Sequence, residues 1–262
     1  MNLQIAELDV SMRRRGLIGY TLGMAAYVLI VVALFPAFKD STNLDSLTSD
    51  SPGVAALFGI SGSLTSPVGW LNANIYANFF PLIILLLTIG YGASCLAGQE
   101  HDGHLELVLS LPFARRRVVA QKVVAMTAQA VGFSVVVFAC VLAGRWFQLD
   151  VGVTDTATAT LGVALLGIDL GLLALAIGAA TGHRGKALGI TSAVAAASYL
   201  VSSMAPVVSW LDPAKYASLF YWAVGDDQLG SGLSIASLVV LVAVGAVLGV
   251  VSVMAFEHHD LS

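Results

Sequence analysis

Six runs of roughly twenty near-continuous apolar residues dominate the chain, each long enough for a helix rising about 1.5 Å per residue to cross a bilayer's hydrocarbon core. They lie at Gly16 to Phe38, Phe79 to Ala97, Val123 to Gly144, Ala159 to Thr181, Ala187 to Pro206 and Leu233 to Phe256. Only 11% of residues are charged, against about 25% in soluble domains, which points to an integral membrane protein. Continuous Leu, Val and Ala, rather than the alternation of a β-barrel strand, predicts helices. The first run follows Arg13, Arg14 and Arg15 as a signal peptide would, but its 23 residues exceed an h-region of about 7 to 15 and predict a retained span. Cys95 and Cys140 fall inside apolar runs and define no disulfide framework. The net charge of -4 is spread along the chain and favours no nucleic-acid partner.

Six spans bring both termini to one side, and the cations say which. Arg13, Arg14, Arg15, Arg115, Arg116, Arg117, Lys122, Arg184 and Lys186 share that side, against Lys39, Arg145 and Lys215 on the other. Nine against three predicts cytoplasmic termini. The outer segment Lys39 to Trp70 has turn signals and apolar patches suited to short membrane-surface helices. Trp210 to Gly232 is similar, with Pro206 and Pro213 ending or bending the fifth helix. There Tyr216, Phe220, Tyr221 and Trp222 suit an interfacial aromatic belt. Short connections and no useful internal repeat predict a single transmembrane domain over residues 1–262. Glycine pairs four apart, including Gly19 and Gly23, Gly167 and Gly171, and Gly185 and Gly189, predict close helix packing within the bundle.

Between the second and third runs, residues 98–122 concentrate charge in a chain that otherwise avoids it. Helical spacing gathers Leu105, Val108 and Leu109 on one face, with Glu100, Asp102 and His104 largely elsewhere, in an amphipathic helix too short to span. Pro112 breaks it and suits the first turn of a helix continuing into the third run. Arg115 to Arg117 and Lys122 then fall at the inner headgroups, where long cationic side chains snorkel to water.

Glu100, Gly103, Leu105, Glu106, Ser110, Leu111, Pro112 and the following Arg115 and Arg116 resemble the E-x-x-G-x-L-E-x-x-L-S-x-P-x-x-R pattern of type-2 ABC exporter permeases. Leu3 to Arg15 resembles that family's amphipathic N-terminal elbow helix, within residues 1–15, and Phe220 to Leu261 its C-terminal pattern, with His258 and His259 where the family has arginines. The resemblance implies an all-α protein of six transmembrane helices, with a cytoplasmic coupling helix over the patterned residues that docks on a separate ABC ATPase. It also implies a second permease copy, identical or homologous, and export of a drug, antibiotic, lipid or peptide across a bacterial or archaeal cytoplasmic membrane. The chain carries no nucleotide site of its own. Around Gly185 and Lys186, Ala180 and Ala187 replace the first glycine and the hydroxyl residue of a P-loop. ATP and magnesium are therefore expected in the partner, with no cofactor or catalytic residue here.

Asp169 stands alone near the middle of the fourth run, where a charge costs about 2.5–3.5 kcal/mol. Either it is protonated and bonded to a neighbouring helix, or it faces water or a polar substrate. The second alternative leaves a rival reading, a proton-coupled secondary transporter using Asp169, although the inverted repeats of such carriers are missing. His101 and His104, with their acidic neighbours, read as a solvated face rather than a metal site. The apolar stripes of the second and fifth runs either pack or, as the family suggests, line a greasy cavity. An apolar bundle without rings of charge suits a hydrophobic or amphipathic cargo better than a small ion.

Overall fold

The computed structural model describes residues 4–40, 63–97, 115–225 and 228–258. All regular structure among them is helical, and six helices are long and apolar enough to cross a membrane. The expected coupling residues Glu100, Gly103, Leu105, Glu106, Ser110, Leu111 and Pro112 lie outside the described residues, as does His259.

The first span belongs to one uninterrupted helix, Gln4–Phe38, with no break between the expected elbow and the span. Its 35 residues cover about 52 Å, well beyond a hydrocarbon core of about 30 Å. The surplus at its start runs past the end of the second span and the start of the third, where Asp9 and Arg13 make contacts described below.

The second span differs most from expectation. It begins at Pro67 rather than Phe79, as an α-helix Pro67–Leu71, a π-helical segment Asn72–Phe79 and an α-helix Phe80–Ser94. Asn72, Asn74 and Asn78 lower its hydropathy and hide it from an apolar-run criterion. They fold into it because their polar groups find partners. Asn74 Nδ2 donates to the Trp70 carbonyl at 2.9 Å and Asn78 Nδ2 to the Ala73 carbonyl at 2.8 Å. Pro81 has no N–H to donate just after the wide turns, so the α-helical pattern is already broken there. Ser66 caps the start, its hydroxyl accepting from the Gly69 amide.

The third, fifth and sixth spans extend Arg115–Leu142, Arg184–Met204 and Ile235–His258. The fourth, Val153–Thr181, is the most enclosed and packs against each of the second, third, fifth and sixth. Small residues make this possible. A Cβ at Gly92 would lie 2.2 Å from the Gly171 carbonyl, and one at Gly171 would lie 2.6 Å from Met126 Sδ, so these backbones touch as only glycine allows. Gly167 likewise seats Ile84. Gly19, Gly23, Gly185 and Gly189 have nothing within 4 Å of a built Cβ, so the expected intrachain role of those pairs is not what the bundle uses.

After Met204 the chain forms a 3-10 helix Ser209–Ala217 and short helices Leu219–Val224 and Gln228–Ser231, as the prolines predict. Tyr216, Tyr221 and Trp222 stack edge to face with Lys215 Nζ over the tyrosines. Phe220 departs from the expected belt. It is 6% exposed, and its ring turns inward against Tyr199 of the fifth span.

Candidate functional site

A partly open cavity of about 980 Å³ lies between the second and fifth spans. Its size sits at the upper end of ordinary ligand pockets, about 300–1,000 Å³. One wall is a continuous stripe of the second span, with Ala77, Pro81, Leu82, Leu85, Leu86 and Ile89. The other is the fifth span, with Leu188, Ser192, Ala195, Ala196 and Tyr199, closed at the end by Phe220. The sequence leaves the apolar stripes of these two runs either to pack or to line a cavity, and both contribute to this lining.

Polarity in the cavity is graded along its length. At the end nearest the π-helical turns, Asn74 and Asn78 line it beside Trp70, and the Tyr199 hydroxyl donates to Asn78 Oδ1 at 3.3 Å. Toward Leu188 and Gly90 the lining is almost purely apolar, relieved by the Ser192 hydroxyl. Trp70 is held from behind, its indole N–H donating to the Val31 carbonyl of the first helix at 3.0 Å and its ring stacked on Phe38 at 5.4 Å. Such an arrangement receives an elongated, mostly apolar molecule and offers hydrogen bonds to one end of it.

The opposite end of the bundle holds a polar cluster that sequence reasoning does not find. Lys122, expected to snorkel to water, is 1% exposed. Its Nζ meets Asp9 of the first helix, 2.7 Å from Oδ2 and 2.8 Å from Oδ1. The Tyr91 hydroxyl donates to the same Asp9 Oδ2 at 2.7 Å. Arg13 lies over the Tyr91 ring, 4.8 Å from its centroid, and donates to Ser94 Oγ at 2.7 Å. Lys122 faces the bundle instead of the headgroups because it sits between Val118, Val119, Ala125 and Met126, all buried, on the inward face of the third span. Once turned inward, it requires an anion. The signal missed is Asp9, an acid one helical turn before the basic Arg13 to Arg15 run.

Three residues from the predicted site lie among the described residues: Arg115, Arg116 and Asp169. The third span starts at Arg115, and Arg116 forms an exposed ion pair with Glu257 at the end of the sixth span. Asp169 is 1% exposed and lies outside the cavity lining. Its carboxyl instead faces Gly245 of the sixth span, where a Cβ would come within 2.6 Å of Oδ1, and neither oxygen has a hydrogen-bond partner among the described residues. Val10, Tyr91, Val119 and Phe256 share one apolar cluster, so the first and last helices meet at the same end of the bundle as the connection between the second and third.

Comparison with curated proteins returns no match. Over residues 1–261 the chain matches the ABC-2 family transporter protein model, and with its six apolar helices it belongs to that family of membrane transport components.

Proposed function

We propose that the chain is the permease subunit of an ATP-driven exporter carrying a hydrophobic or amphipathic molecule, such as a drug, antibiotic, lipid or peptide, out across the cytoplasmic membrane. ATP and magnesium act in a separate ABC ATPase, and a second permease copy completes the pathway. The observation that carries this reading is the apolar cavity between the second and fifth spans of an ABC-2 family chain.

The cavity also gives the connection at residues 98–114 a mechanical role. The second span lines the cavity along its length and ends at Ser94, shortly before that connection in sequence. ATP-driven closure of the nucleotide-binding subunits pushes on Glu100 to Leu111. The push moves the second and third spans and exposes the cavity alternately to the two sides. Glu106, with Glu100, Arg115 and Arg116, forms the contact with the ATPase.

Mild extraction from the native membrane and affinity purification of this chain test the proposal. An ATPase with a P-loop should copurify, and Glu106→Lys should abolish its binding or its coupling. Absence of any ATPase contradicts the proposal and turns attention to a proton-coupled carrier, for which Asp169→Asn is the next variant.

A further inference from the structure

We propose that Asp9, Tyr91 and Lys122 form a latch that holds the first helix to the second and third spans and must open for the cavity to change sides. The inference rests on the transporter reading above. Lys122 belongs to the third span and Tyr91 to the second, and Asp9 binds both at once at 2.7–2.8 Å. Arg13 repeats the tie one turn further along the first helix, through Ser94 Oγ and the Tyr91 ring. The second and third spans are thus both pinned to one continuous helix.

The chemistry of the cluster suits a contact that opens. A buried ion pair is a poor device for stability alone, since apolar side chains of similar volume hold such a site as well or better. Opening is where the ions differ. At the end of a span, a separated aspartate and lysine regain hydration, which offsets the lost contact, whereas an opened apolar seam exposes oily surface to water. Directional bonds between discrete partners also give two defined states rather than a continuum.

The test reads the cavity directly. Ser192, an exposed cavity residue, is replaced in a chain carrying Cys95→Ala and Cys140→Ala. The probe is a membrane-impermeant maleimide, applied to Ser192→Cys in native membranes with and without ATP and vanadate. In this parent chain, ATP and vanadate should change the labelling rate. Asp9→Leu with Lys122→Met should insert and retain its ATPase subunit yet lose the ATP-dependent change, because its seam does not open. The swapped pair Asp9→Lys with Lys122→Asp should restore the change. Tyr91→Phe, which keeps the ring but removes one bond to Asp9, should move labelling without ATP toward the ATP-bound pattern. A purely structural cluster would not shift the two variants in opposite directions.

A responding parent matched by an equally responding apolar pair overturns the latch alone. A swapped pair that stays locked overturns charge pairing as its basis. A parent with no ATP-dependent change overturns both the transporter reading and the latch.

Discussion

Taking Lys122 away leaves Asp9 charged among buried neighbours, and removing one member of a buried pair costs about 3–5 kcal/mol. Lys122→Met alone should therefore lower the thermal unfolding temperature in detergent sharply, and adding Asp9→Leu should recover most of the loss. An apolar pair no more stable than the single variant would contradict a desolvated ion pair. Glycines give a second residue-scale test. Gly92→Ala drives a methyl into the Gly171 carbonyl, an overpacking worth about 1–3 kcal/mol, while Gly19→Ala meets nothing within 4 Å. Thermal unfolding should separate the two, and equal effects would contradict the close approach of the second and fourth spans. The sequence alone does not distinguish these glycines, because a four-residue spacing is the same on a packed face and an open one. Lys122 is hidden for a related reason. Its partner lies 113 positions away, and a lysine at the end of a span satisfies the same charge rule whether it reaches water or turns inward.

Within the second span, the apolar run at Phe79 to Ala97 covers the helix Phe80–Ser94 but stops short of the twelve or so residues before it, where three asparagines intervene. Those residues join the helix through bonds that hydropathy does not count. Asn78 is the clearest case, since it both donates to the Ala73 carbonyl and accepts from Tyr199 across the cavity. Each such bond contributes about 0.5–1.5 kcal/mol net. Asn78→Leu should therefore lower stability by about 1–3 kcal/mol, and Tyr199→Phe, which leaves the Ala73 bond in place, should lower it less. Calorimetry in detergent or nanodiscs checks the order, and an unchanged Asn78→Leu chain would remove this bridge from the account. The fifth span shows the opposite balance. Its apolar stripe, its end near Met204 and the broken segment after it all follow from apolar spacing and two prolines.

At the scale of the whole molecule, hydropathy alone settles six spans and the class of fold, since no other arrangement buries so much apolar surface in a bilayer. Which faces meet is set by partners far apart in sequence, so the central place of the fourth span and the Asp9, Tyr91 and Lys122 cluster emerge only from the packed chain. Orientation rests on the nine-to-three distribution of cations. A fluorescent protein fused after residue 262 should shine in the cytoplasm, and an alkaline phosphatase fused within residues 41–62 should be active outside; the reverse pattern would invert the proposed topology. Export through the cavity makes the strongest demand on the molecule. Inverted membrane vesicles containing the chain and its copurifying ATPase, given the apolar fluorescent probe N-phenylnaphthylamine in the outer medium, measure it most directly. The parent should take up probe on addition of ATP. Ala196→Trp, which fills the cavity wall, should abolish that uptake, while Val247→Trp on the exposed face of the sixth span should not. ATP-driven uptake unaffected by Ala196→Trp would contradict the cavity as the transport path.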